Sequence, residues 1–337
     1  MLLRLAFLLV VLVPAAVAQP VDPLFPIVDQ GKFGFIDATG RVVIAPQFDG
    51  AQRSSEGRAA VRVGEVWGFV DRTGAVVIDA QYDAVFPFIE GRARVRRGDR
   101  WGYIDTEGDV VAEADYEAVL DYAQGRAPVK KATGVVVGAR PTWGYLDLNG
   151  DVVVKPSYVR ALLFSEDLAA VEVVKKVLLV RTNTRWGFIN TEGEWVVEPQ
   201  FSSARSFSEG LALVKRGKRW GFIDRTGEIV IEIDYEQVFS FSDGRARVAE
   251  EGRWGFIDPQ GQLAIDFAFD QAGDFVGGLA LVRLGERWGF IDTEGRFAIP
   301  AIYERARSFS GGLAYVTLDG QAGYIDTTGA FVWKQGE

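Results

Sequence analysis

The chain has 337 residues, 48% of them hydrophobic and 25% charged, with 39 Gly, 12 Pro and neither Cys nor His. That balance is globular and turn-rich, and it excludes a disordered chain, a disulfide framework, a Cys or His metal site and any nucleophilic system that needs Cys or His. A formal net charge of −9 repels phosphate backbones, so no nucleic-acid partner is expected.

Residues 1–18 read as a signal peptide. Arg4 precedes an apolar run from Leu5 to Val13, and the small triplet Ala16, Val17, Ala18 sets cleavage before Gln19. The run is short for a membrane helix, and no later stretch approaches the about 20 apolar residues of a span, so no integral membrane segment is expected after cleavage. The expected location is outside the cytoplasm, either periplasmic or secreted, and an exported chain without Cys folds by burial alone.

Residues 19–337 read as one β domain made by repetition. An aromatic-Gly pair recurs at Phe33, Trp67, Trp101, Trp143, Trp186, Trp220, Trp254 and Trp288, with Ala322 as a degenerate ninth copy; the spacings are 34, 34, 42, 43, 34, 34, 34 and 34. Each unit of about 34 residues predicts three short strands. The first alternates, as in Gly210 to Val214, and ends in a turn that usually carries Gly. The second is the Trp-Gly-Phe-Ile-Asp segment, closed by a D-x-x-G turn such as Asp224 to Gly227. The third is Val/Ile-rich, as at Val42 to Ile44, and its successive apolar residues predict cover on both faces. A connector with an aromatic, a small apolar residue and a second aromatic, as at Tyr235, Val238 and Phe241, leads to the next unit. The pattern leaves open whether the connector holds a fourth strand. The expected fold is all-β: nine three-stranded meanders in an open solenoid-like or superhelical stack, with a closed propeller-like ring as the alternative.

Trp220-Gly221-Phe222-Ile223-Asp224, Gly227, Tyr235 and the run Phe241 to Val248 together resemble the WG repeat, also called the KWG repeat, over about Phe25 to Trp333. The resemblance implies a β-repeat protein, extracytoplasmic or otherwise bacterial, and brings no catalytic residues with it.

The repeated acids, Asp37 through Asp326, are read as turn caps rather than a calcium ladder or glycosidase pair, because Asn190 takes the same place once. The tryptophans are read as core, each over a neighbouring unit's Gly, rather than as a sugar-stacking platform. The units before Trp143 and Trp186 are longer by 8 and 9 residues at one hairpin, which predicts a local protrusion. Arg92, Arg94 and Arg96, like Arg245 and Arg247, alternate with Ala and Val and share one strand face. Together with Lys130, Lys131, Arg140, Lys175, Lys176 and Arg181 on the long hairpins, they are the candidate partner contacts; no catalytic, cofactor or metal site is expected. The function expected is an exported, non-catalytic binding or scaffold protein whose partner is a protein or an envelope polysaccharide. Two rivals remain: a carbohydrate-active enzyme using a pair among Asp115, Glu117, Glu166 and Asp167, and a spacer with no ligand.

Overall fold

The computed structural model describes residues 23–131, 142–177 and 181–336. Every regular element among them is a strand, and the strands form nine small antiparallel sheets. No helix among the described residues is long and apolar enough to cross a membrane.

The first two sheets show the plan. β1 (Phe25–Asp29), β2 (Lys32–Ile36) and β3 (Val42–Phe48) form blade 1 in sequential order. β4 (Gly50–Ala51), β5 (Ala59–Val63), β6 (Val66–Val70) and β7 (Val76–Tyr82) form blade 2. Blades 3 to 9 repeat the four-stranded plan over residues 84–116, 118–158, 160–201, 203–233, 237–269, 271–303 and 305–334. The connector therefore does hold a strand, and it is the innermost one: Ser203–Ser208, Gln237–Ser242 and Gln271–Val276, in successive blades, touch one another. This strand escapes a reading of the sequence because in most blades only two of its residues enter the ladder, as Gly50↔Arg62 and Ala51↔Val61 do in blade 2.

The ring closes. Tyr324 of blade 9 donates its hydroxyl hydrogen to the Pro26 carbonyl at 3.0 Å, and its ring lies 5.5 Å from Phe25 of blade 1. The molecule is a nine-bladed propeller; the alternative closed ring, and not the open stack, describes it. Small twisted sheets packed face to face, each with its inner strand toward the centre, return on themselves.

Glycine of the D-x-x-G turn is part of that packing. Gly227 has φ +90, and a Cβ there would stand 2.8 Å from Val197 Cγ1 in the preceding blade. Gly74, Gly108 and Gly295 meet Ile44, Ile78 and Ile265 in the same way, and Gly40 of blade 1 lies on the Val332 carbonyl of blade 9, one further closing contact. The second glycine of each unit, after the aromatic, is different. A Cβ on Gly68 would strike the backbone of Ile78 and Ala80 in its own blade, at the register shift between β6 and β7. Trp186 is buried, and Trp67, Trp101, Trp143, Trp220, Trp254 and Trp288 are half-buried against the clusters between blades; the Trp67 ring edge would stand 3.3 Å from a Cβ on Gly50.

The Val/Ile strand is covered on one face only. Ile44 and Ile78 are buried, whereas Val42 and Val76 are 51% and 62% exposed, because this strand forms the outer rim of each blade. Between blades the core is aromatic. Phe69–Phe88, Tyr103–Tyr122, Tyr145–Phe164, Phe188–Phe207, Phe222–Phe241, Phe256–Phe275 and Phe290–Phe309 join successive blades with ring centroids 4.6 to 5.0 Å apart. Each buried ring contributes about 2–3 kcal/mol of transfer free energy, with a further part from edge-on geometry.

Candidate functional site

The repeating polar groups are used to hold the ring. Asp37 Oδ1 accepts from the Thr39 amide at 2.9 Å, the Thr39 hydroxyl at 2.6 Å and the Arg41 amide at 3.1 Å, and Asn190 takes the corresponding amides of Glu192 and Glu194. Hydrogen bonds from Thr39 hold the Asp37 carboxyl below its usual range, as those from Thr226 do for Asp224. A second series bridges blades. Glu56 accepts from the Gly91 amide, Glu90 from Gly125, Glu166 from Gly210, Glu209 from Gly244 and Asp243 from Gly278. In a third, Ser55, Ser165, Ser208 and Ser242 donate to the carbonyls of Phe88, Phe207, Phe241 and Phe275 in the blade that follows.

The arginines singled out in the sequence belong to this framework. Arg92 Nε donates to the Leu148 carbonyl at 3.0 Å, and Arg245 Nε to Thr293 at 3.1 Å, each reaching the turn of the next blade. Arg94 lies 3.6 Å above the Phe86 ring and donates to Asp121 at 3.1 Å. Arg247 lies 3.7 Å above Phe239, with Nε 2.7 Å from Asp274 but out of line for a hydrogen bond. Arg96 faces the Trp101 ring at 5.7 Å. Their face is thus an inter-blade surface, and the alternation that made it look free marks the side turned toward the neighbouring sheet.

Lys130 and Lys131 end the strand Ala127–Lys131, where Lys131 pairs with Asp115. Lys175 and Lys176 lie in Ala169–Val177, and Arg181 opens Arg181–Ile189; their pairing out to Val177↔Arg181 makes the long hairpin of blade 5. Arg140, on the companion hairpin of blade 4, lies outside the described residues. The four acids weighed as an enzymatic pair fall in two places. Asp115 stands on the outer strand of blade 3, while Glu166 and Asp167 sit in the inner loop of blade 5, engaged with Gly210, Gln124 and Arg225.

The repeating pattern changes around blades 8, 9 and 1: Gly277 and Gly311 replace the bridging acids of blades 8 and 9, and after Phe309 the ring that meets Tyr324 is Phe25 of blade 1. Blade 1 has three strands among the described residues, and β1 carries no inner partner among them. A cavity of about 550 Å³ opens there, walled by Phe25, Ile27, Tyr324 and Trp333 and facing Arg53 and Arg307. Trp333 packs across the closure with Phe25 and Ile27, and Trp195 is a rim residue edge-on to Tyr158. Arg53 Cζ lies 4.9 Å from the Phe25 ring centre and Arg53 donates to Ser310, but its Nε has no partner. Burial lowers the Arg53 pKa, and no acid lines the cavity. Sequence reasoning missed this place because it lies where the last blade meets the first, a contact the repeat spacings do not show.

The family model of the WG containing repeat matches residues 33–67, 67–101, 101–132, 143–176, 186–220, 220–254, 254–288 and 288–321. No curated protein matches the chain. Among solved structures, a eukaryotic initiation factor is similar at 12% identity with a TM-score of 0.64, covering 93% of this chain and 96% of that one. Apo AztD from Citrobacter koseri aligns over 94% of this chain and 93% of its own, at 14% identity and a TM-score of 0.42. At such identities the likeness to the initiation factor speaks for the fold alone. The matched repeats span most of the chain, and the chain belongs to the WG-repeat family.

Proposed function

We propose that this is an exported, non-catalytic binding or scaffold protein that presents a rigid ring to a protein or an envelope polysaccharide. The observation that carries the reading is the division of labour among its polar residues. Acids, serines and arginines that recur from blade to blade hold neighbouring blades together, whereas the irregular places, the long hairpins of blades 4 and 5 and the cavity between blades 9 and 2, carry cationic residues outside that recurring pattern. Departures from a repeat are where a scaffold differs from its own pattern, and loops on a rigid frame are where contacts concentrate. Lys175, Lys176 and Arg181 on the blade 5 hairpin would meet an acidic partner.

The Arg4–Ala18 leader pattern supports export, and the lack of His and Cys supports the non-catalytic reading. The test is recovery of the native protein from envelope and culture fractions, with mass spectrometry of what remains attached. A specific co-purifying partner, lost when Lys175, Lys176 and Arg181 are all changed to Ser or when the cavity is blocked, supports the reading. Retention in the cytoplasm, or turnover of an envelope glycan abolished by Glu166→Gln, overturns it.

A further inference from the structure

The inner strands of blades 6, 7 and 8 each carry a bulge, between Ala204 and Phe207, Val238 and Phe241, and Ala272 and Phe275. The first bulged residue is Arg205, Phe239 and Gly273 in turn, and the other four-stranded blades place Gln, Phe, Leu or Arg there. Where it is Phe, its ring packs against the tryptophan of its own blade. The Phe86–Trp101 and Phe239–Trp254 centroids are both 5.7 Å apart. In blade 8, Gly273 leaves Trp288 without such a ring.

The backbone does not require glycine at this position. Gly273 is not in the left-handed region, and a Cβ there would meet the Ser308 hydroxyl oxygen at 3.4 Å and the Leu281 carbonyl oxygen and Cβ at 3.6 and 3.8 Å, all ordinary contacts. A strand glycine under neither constraint suits a place where a ligand comes close to the backbone. The place is a groove of about 400 Å³ lined by Trp254, Trp288, Leu281, Gly273, Asp270 and Gln271, with Arg247 beside them. Each of these residues belongs to blade 7, to blade 8 or to the step between the two.

The lining selects the chemistry of an occupant. Its charges are already matched: Arg247 lies 2.7 Å from Asp274, and Asp270 pairs with Arg253 while accepting from the Gly285 amide at 2.6 Å. A charged ligand would disturb these pairs, and an uncharged one would not. What the groove offers is indole and leucine surface, the side-chain amide of Gln271, which has no hydrogen-bond partner among the described residues, and the remaining lone pairs of Asp270. An uncharged ring with an apolar face and a rim of hydroxyls uses all of these. A partner's aromatic side chain would use the indole and leave Gln271 and Asp270 idle.

We propose that the groove between blades 7 and 8 binds an uncharged hexopyranose segment of a polysaccharide, whose sugar ring takes the place on Trp288 that Phe239 takes on Trp254. This names the ligand class for the binding-protein reading and rests on that reading.

The test is calorimetric titration of the protein with three uncharged hexasaccharides, cellohexaose, maltohexaose and chitohexaose, and with hexagalacturonate as a charged counterpart. At least one uncharged sugar is expected to bind, and hexagalacturonate about tenfold more weakly or not at all. Gly273→Phe supplies the ring that the fold already uses at Phe86 and Phe239, so it should unfold at no lower urea concentration than wild type while losing about tenfold or more in sugar affinity. Trp288→Ala should also weaken binding about tenfold, and Gly273→Ala should stay within about twofold of wild type. Failure of all three uncharged sugars to bind at millimolar concentration overturns the proposal, as does wild-type affinity in a folded Gly273→Phe protein. Wild-type affinity in Trp288→Ala overturns it whether or not Gly273→Phe folds. A protein partner that is lost from Gly273→Phe, in the absence of any bound sugar, overturns it too and leaves the binding-protein reading intact.

Discussion

Glycine at the D-x-x-G turn does two jobs that come apart under substitution. Gly227 combines φ +90 with a neighbour 2.8 Å from where a Cβ would stand, whereas Gly244 has φ +75 and open space around it. Gly244→Ala should therefore cost about 1 kcal/mol, from left-handed backbone alone, and Gly227→Ala about 2–3 kcal/mol, from backbone plus a forced shift of Val197. Urea unfolding of the two variants checks the order. At the turn acid, Asn190 already shows that an amide can serve, so Asp37→Asn should be nearly neutral near pH 7 and Asp37→Ala should cost about 1 kcal/mol. The Asp37 carboxyl is held low by Thr39, which makes its stabilisation present above the unfolded value, about 4, and lost as pH falls through the folded one. The gap between wild type and Asp37→Ala should accordingly narrow in urea titrations taken below pH 4. These roles were legible in the sequence, because the Asp and Gly offsets recur and one Asn substitutes.

The element that carries the architecture is the inner strand, and it was the least legible. Its ladder is two residues long in blades 2 to 5 and blade 9, too short to leave a period, and its defining aromatic looks like part of a loop. That aromatic is nevertheless the joint between blades. Phe222 and Phe241 are buried with centroids 4.8 Å apart, so Phe241→Ala should cost about 3–4 kcal/mol in chemical denaturation, against less than about 1 kcal/mol for Val230→Ala on the exposed rim. Equal losses at the two sites would contradict the assignment of the inner strand as joint. At Arg92, Arg94 and Arg96, alternation reveals that the strand has two faces, and only packing tells which one meets a neighbouring sheet.

At the scale of the whole molecule, the repeat count was readable from the spacings, whereas closure was not, since it depends on the small wedge angle each blade adds. Burial of tyrosines around the ring has a consequence for alkaline stability. Desolvation raises the pKa of Tyr103, Tyr122 and Tyr145, and that of Tyr324 to about 12. A group raised in the folded state stabilises fully below its unfolded value, about 10, and loses that contribution as pH rises through the folded one. Unfolding and tyrosinate absorbance should therefore rise together between about pH 10 and pH 12 rather than in separate steps. The closed ring itself is tested most directly by pulsed electron spin resonance on the Thr39→Cys, Gln335→Cys double variant, which introduces the two thiols needed for labelling into a chain that has none. Gly40 rests on Val332, so a single narrow distance below about 25 Å is expected, allowing about 3.3 Å per residue and the length of the labels. An open array of nine sheets stacked about 10 Å apart would separate the labels by several tens of ångströms, and a broad or long distance of that kind would contradict the propeller.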